Sequence, residues 1–219
     1  MPIQARTIVE DVQEALNDLR GVRYPASLLV RYINRSQRDM QTHRPDVTAR
    51  LIDFSLAAGD VQELPVEAAT LIDMPSHATG RKARITKSDL NKIDAIDPYW
   101  RSSGRVGEIL HFMHDLRNPR TVYTYPPAAA GTQVKLLIST YPVDVPAPSG
   151  DGRLASTVNG AISVDDKWQT VLTSYVMGYA YEKDVEGAGN LEMSQSYIQR
   201  ALTLLGVQLQ VDKAVGPRE

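Results

Sequence analysis

Apolar residues at Ile8, Val12, Ala15, Leu16 and Leu19 fall on one face of a helix, and Gly21 stops the run. Pro25 opens a second helix with Leu29, Tyr32, Ile33, Ser36 and Met40 on its stripe; Arg31, Arg35, Arg38 and Asp39 lie mostly off it. Pro45 ends this helix near His43 or Arg44. The period then changes to two, with Ile52, Phe54 and Leu56 alternating with Asp53 and Ser55. Ala58-Gly59-Asp60 reads as a turn that lets 61–64 pair back as a hairpin, and 70–74 reads as a further strand. A short helix is expected within 86–96, capped by Thr86 or Ser88, followed by the bend Asp97-Pro98-Tyr99-Trp100. Strands at 109–114, 121–125 and 134–141 complete a meander, with Val134, Leu136 and Ile138 facing one way.

The stretch 142–162 is a loop rich in Pro, Gly, Ser and Ala, long enough to suggest an arm that contacts a neighbour. Ser163-Val164-Asp165-Asp166 resembles a capping box and opens a helix carrying Trp168, Val171, Leu172, Tyr175, Val176 and Tyr179. After an acidic connection at 182–190, Leu191, Ser194, Ile198, Ala201, Leu202 and Leu205 form the last stripe, which Gly206 closes. Val207 to Val211 then alternates strictly, as a strand added to a partner sheet would.

Helices at both ends with strands between predict an α+β chain. The expected architecture is a four-helix bundle from N- and C-terminal segments, 1–50 and 163–206, with a central antiparallel β-rich insertion at 51–162 that includes the long loop. A C-terminal tail occupies 207–219.

Charge narrows the function classes. The 24 Lys and Arg against 26 Asp and Glu leave no basic excess, which disfavours tight nucleic-acid binding by one copy. With no cysteine, disulfides, thiolate metal sites and a Cys nucleophile are excluded. Met1 to Arg6 leads into no apolar run and no stretch is long enough for a bilayer, so synthesis in the cytoplasm is expected.

Catalytic signals are weak. Gly104-Arg105-Val106-Gly107 lacks the remainder of a phosphate-binding loop and reads as a turn. His111 and His114, three apart on a strand, point to opposite faces, while His43 and His77 have no obvious partner. Asp165 and Asp166 suit a helix N-terminus, and Glu182, Asp184 and Glu186 read as a solvated loop. No cofactor or metal site is expected. Ten tyrosines against two phenylalanines is a skew that suits subunit contacts and core packing equally. Trp100 reads as a plug of its own domain or an anchor for a neighbour.

Several segments together resemble the adaptor proteins of the phage head-to-tail connector. They are Tyr32-Ile33-Asn34-Arg35-Ser36-Gln37-Arg38-Asp39 with Arg44-Pro45-Asp46, Asp97-Pro98-Tyr99-Trp100, the run 115–127, and Tyr175-Val176-Met177-Gly178-Tyr179-Ala180-Tyr181-Glu182-Lys183-Asp184. The order is kept from about Ala5 to Leu205. The resemblance implies a non-enzymatic virion protein at the head–tail junction, assembling as a ring, typically twelve-fold, beneath the portal protein. Such a ring joins the portal to the tail or nozzle while DNA passes through its lumen without sequence-specific binding. Val207, Leu209, Val211 and Val215 are the candidate portal or neighbour contacts, and Tyr99 and Trp100 the candidate loop anchor. Competing readings are another phage ring component (head-completion or tail-tube protein), a hydrolase using His111 or His114 with Asp115 or Asp144, and a nucleic-acid module using Arg31, Arg35, Arg38, Arg81, Lys82 and Arg84.

Overall fold

The computed structural model describes residues 3–80, 83–183 and 188–215, the side chains of 188 and from 207 onward excepted. The chain is α+β, and its contacts divide it into two units, Met1–Val47 with Pro142–Glu219, and Thr48–Tyr141.

The first unit is helical. Helix α1 (Ala5–Ala15) buries Ile8 and Val12, and α2 (Ala26–His43) buries Leu29, Ile33, Ser36 and Met40, as the stripes predict; Val9 and Val30, off the predicted stripes, are buried too, and Ala15 is exposed. Leu19, assigned to the first stripe, is instead 68% exposed, because the helix has already ended at Ala15. Helix α4 (Gln169–Glu182) is the centre of the unit: it packs on α1, α2 and α5 (Ala188–Val215), and Ser174 to Ala180 are all buried. A helix buried on nearly every side loses the one-sided stripe of a surface helix. Helix α5 runs through Gly206 to Val215. The expected stop at Gly206 and the expected strand at 207–211 are therefore replaced by helix. One glycine costs a helix only about 1 kcal/mol, and the Leu and Gln of the alternating run are good helix formers.

The loop 142–162 belongs with these helices, not with the β-rich unit, and the structure ties it to its own unit. Val145, Val158 and Ile162 enter the helical core. Its backbone is satisfied by side-chain amides. Asn34 exchanges two hydrogen bonds with Val145, at 2.8 and 3.0 Å, and Gln37 accepts the Ser163 N–H at 2.6 Å. In return it caps α2, whose N-cap Pro25 has no side-chain acceptor: Ala26 N–H and Ser27 N–H donate to the carbonyls of Arg153 and Gly152 at 3.0 and 2.9 Å. Those are the orphan donors that every helix start must satisfy. Ser163 does not cap α4; its hydroxyl bonds Val143, and Asp165 caps the 3-10 turn Asp166–Trp168 that leads into the helix.

The second unit holds two sheets. Strands β1 (Ala49–Ser55), β7 (Gln133–Thr140) and β3 (Ala68–His77) form one, in the order β1-β7-β3. Strands β2 (Gly59–Glu63), β6 (Thr121–Ala128), β5 (His111–His114) and β4 (Thr86–Lys87) form the other, in the order β2-β6-β5-β4. Between them pack Leu71, Met74, Phe112, Val122, Val134, Leu136 and Ile138. Two expectations fail here. The chain at 52–64 is no hairpin, since β1 pairs with β7 and β2 with β6. Nor is 109–141 one meander, because β6 and β7 lie in different sheets. Both corners switch sheets at a glycine of positive φ, Gly59 and Gly131, and Leu56 bonds to Gly131 and Thr132 at the second corner. Among the named strands pairing is antiparallel except β4 with β5, which is parallel, and a parallel bridge joins Val106 to Ala128. Helix α3 (Leu90–Ile96) covers the second sheet's other face; its cap is Asp89, not Thr86 or Ser88.

Candidate interaction surfaces

A polar and aromatic cluster of the helical unit lies where α2 meets α4. Tyr179 donates its hydroxyl to Asp39. The Arg35 guanidinium sits 4.1 Å over the Tyr179 ring and approaches Asp39 and Glu182 at 3.8 Å each. Tyr32 and Tyr175 flank the same ring at 5.9 and 6.2 Å. Burial, reinforced by the Asp39 carboxylate, pushes the Tyr175 hydroxyl up to about 12 and raises Tyr179 too. The Tyr179 hydroxyl bond to Asp39 braces α4 against α2. Arg44 plays a similar part at the end of α2. It is 4% exposed, pairs with Asp46 at 2.9 Å, donates to the Leu205 carbonyl at 3.1 Å and stacks 4.7 Å from the Trp168 ring. That contact fixes α5 just before the segment at 207–215.

The loop after α1 is organised by one carboxylate. Asp18 accepts the backbone N–H of Val22, Arg23 and Tyr24 at 3.0, 2.8 and 2.7 Å. Burial opposes ionisation, but the three N–H groups and Lys183 outweigh it and hold the carboxyl below its ordinary value. A folded-state value below the unfolded one, about 3.9 for Asp, gives stability that is present above that pH and is lost as pH falls through the folded value. Asp18→Asn is therefore expected to lower the urea midpoint at pH 7, with the gap to the parent protein closing as pH falls below 4. A gap independent of pH would contradict this account of Asp18.

Trp100 is fully buried with Ile93 and Met113, and lies edge-on to Tyr125 at 5.8 Å. Its Nε1 donates to Asp94 at 2.8 Å. Arg101 stacks over it at 4.6 Å while pairing with Asp94 at 2.7 Å and Asp60 at 3.7 Å. The hydrogen bonds from Arg101 and then Trp100 hold the Asp94 carboxyl below the usual range. Tyr99, next in the chain, is 81% exposed, so the two residues of the candidate anchor have opposite environments.

The remaining candidates are dispersed. His77 Nε2 meets the backbone of Ile109, His111 Nδ1 meets Thr86, and His114 Nε2 meets the Pro119 carbonyl. Asp115 is paired with Arg117 and Asp144 with Arg38, both at 2.7 Å at their closest or next-closest contact. Among the described residues no group of three or more His, Cys, Asp or Glu is placed to hold a metal ion. Of the basic set, Arg35 and Arg38 are engaged in ion pairs, while Arg81 and Lys82 lie outside the described residues, as do Asp184, Glu186 and the side chains of Val207, Leu209, Val211 and Val215. Among the tyrosines, Tyr175 and Tyr179 are core, Tyr181 and Tyr197 stack on each other at 5.7 Å, and Tyr99 and Tyr141 are exposed. The residues that the sequence reading missed are mostly the amides Gln13, Asn34 and Gln37. Another is Arg120, whose guanidinium reaches the carbonyls of Leu64, Val66 and Ala68. Their partners lie far away in sequence, so no local pattern marks them.

No helix among the described residues is long and apolar enough to cross a membrane. The family model described as SU10 adaptor protein matches residues 3–218. No curated protein matches the chain.

Proposed function

Because the chain belongs to the SU10 adaptor family of phage head–tail adaptors, we propose that it is a ring subunit that joins the portal to the tail or nozzle and carries out no reaction. The observation that supports this best is the extent of the match, 3–218, which takes in both units. The segments that carry the resemblance are used for bracing: Tyr32, Arg35 and Asp39 against Tyr179 and Glu182, and Trp100 against Asp94.

In this reading α1, α2, α4 and α5 form a four-helix bundle that is the ring body, about twelve copies close the ring, and DNA passes through a lumen whose near-neutral charge lets it slide. The continuation of α5 docks on the portal. Because the backbone there is helical, the mode is a helix laid in a groove. Val207, Val211 and Val215 repeat every four residues on one face, with Leu209 off that line. Truncation after Gly206 is expected to abolish co-sedimentation with the portal protein encoded in the same genome, while leaving the circular dichroism of the remainder helical. Unchanged co-sedimentation would remove the 207–215 segment from the interface.

A further inference from the structure

The two sheets have four outer strands, β1, β2, β3 and β4. A free strand edge invites pairing with another chain, and proteins ordinarily blunt it with a bulge, a proline, brevity or a covering segment. Three of these four are blunted. Strand β2 is five residues long, shifts register between Gly59 and Val61, and ties Asp60 to Arg101. Strand β3 shifts register three times and contains Pro75, and its end is covered by 83–85: His77 N–H donates to Ala83 and Ile85 N–H to Pro75. Strand β4 has two residues. Strand β1 has no proline, bulge or cover, and pairs with β7 in unbroken register over seven residues, Ala49 to Ser55.

The backbone of β1 is open on its far side. Ala78 N–H, just after β3, donates to the Gln133 carbonyl, so Gln133 and every second residue after it in β7 turn to β3, and the others turn to β1. Leu56 N–H, which donates to Thr132, fits the same phase. Arg50, Ile52 and Phe54 therefore bond to β7, while Ala49, Leu51, Asp53 and Ser55 direct their N–H and C=O groups away from it. Those outward groups have no partner among the described residues. Donors and acceptors repeating every about 6.8 Å match one ligand chemistry, the backbone of another extended chain.

Side chains specify what that chain carries. Ile52 and Phe54 pack against the core between the sheets yet are only half-buried, so the core is open along this edge. Arg50 shares their face, is exposed, and has no ion-pair partner among the described residues. Asp53, on the other face, is already paired with Lys135 at 2.7 Å. A matching strand has apolar residues at two alternate positions, against Ile52 and Phe54, and an acidic residue at the next, against Arg50. A second copy does not supply it. Its other edges are blunted, and its own β1, paired antiparallel, brings only Arg50, Ile52 and Phe54 to this face, with no acid among them. Such self-pairing is also a two-fold contact and not the head-to-tail contact of a ring.

We propose that β1 is a docking edge that accepts one strand from an extended segment of a different polypeptide of the connector, apolar at alternate positions and acidic beside Arg50. The open edge belongs to this chain alone; that its donor is a connector protein rests on the adaptor reading above.

Amide hydrogen exchange resolved to single residues tests the edge, with the free protein compared with the same chain in purified virions. In the free protein Ile52 and Phe54 are expected to exchange slowly, and Leu51, Asp53 and Ser55 fast. In virions those three are expected to slow by about a hundredfold or more. Leu51→Pro removes an outward N–H that the fold does not use, at an edge position where proline is tolerated. It is expected to leave the circular dichroism of the free protein unchanged and to lose the added protection at Asp53 and Ser55 in virions, while Leu51→Val keeps it. If Leu51→Pro fails to fold, the contrast in the parent protein decides alone. Equally fast exchange at Leu51, Asp53 and Ser55 in free and virion-borne protein overturns the docking edge and leaves the adaptor reading standing. Protection that arises in the free protein as it dimerises at high concentration overturns it too, since the occupant is then a second copy. Absence of the chain from virions overturns the adaptor reading, and the donor named here with it.

Discussion

Gly21→Ala is expected to destabilise the helical unit by more than about 3 kcal/mol, a large part of the 5–15 kcal/mol that holds an ordinary domain together. Gly21 has φ of 57°, and a methyl group there would lie 2.1 Å from the Arg153 carbonyl oxygen and 2.9 Å from Gln13 Nε2. Neither neighbour can step aside cheaply. The Arg153 carbonyl accepts from Ala26 N–H at the start of α2 and from Gln13 Nε2, each at 3.0 Å. Displacing it uncaps the helix and strands a buried amide at once. Asn, which tolerates positive φ better than Ala, separates angle from collision: Gly21→Asn should fail nearly as badly, because it carries the same Cβ. The chain's two tryptophans divide between the units, Trp168 in the helical one and Trp100 in the other. Denaturation followed by fluorescence in a Trp100→Phe background reports the helical unit alone. A change within about 0.5 kcal/mol, the usual range for inert surface substitutions, would contradict the role given to Gly21.

The second large effect is expected at Gly178→Val, with a loss of about 3 kcal/mol from overpacking. Gly178 lies in α4 where α5 crosses it, and an added Cβ would stand 2.6 Å from Ile198 Cγ1 and 3.4 Å from the Ser194 carbonyl. Here the obstacle is a side chain, so the effect should be reparable. Ile198→Ala makes room, and the Gly178→Val/Ile198→Ala double variant is expected to be more stable than the sum of the two single changes by at least about 1 kcal/mol. Strict additivity would mean that the two helices do not meet through these positions. Gly178→Ala should cost less than Val, since the gain in helix propensity, about 1 kcal/mol, partly offsets the collision.

Gly178 lies inside a helix that the stripes predict, whereas Gly21, read as the stop of the first helix, lies six residues beyond its end at Ala15; the importance of both is tertiary. This marks the limit of what the chain reveals by pattern. The stripes of α1 and α2 were legible because burial on one side of a helix imposes a 3.6-residue period. Val134, Leu136 and Ile138 were legible because β7 buries one face and a strand alternates. The 142–162 strap was not, since what holds it is Gln13, Asn34 and Gln37, polar residues on helices that would serve equally well in water. The false hairpin at 52–64 and the false meander at 109–141 share a cause: local turn signals report that the chain bends, but not that it changes sheets at Gly59 and Gly131. The strand expected at 207–211 arose because strict alternation over five residues is compatible with either period when no tertiary contact decides.

The candidate surfaces were legible to a lesser degree. Tyr99 and Trp100 drew attention as a pair, but nothing in Asp97-Pro98-Tyr99-Trp100 tells which ring turns inward; the deciding partners, Asp94 and Arg101, flank the pair. Ile93 and Ile96 lie three residues apart in α3, yet only Ile93 is buried.

A ring subunit of the connector must reside against the portal in the assembled particle. Cryo-electron microscopy of virions, or of the protein mixed with the portal of the same genome, is the direct measurement. The prediction is a ring of this chain against the portal, with the helical units forming its body. A particle whose portal carries no copy of this chain would contradict it.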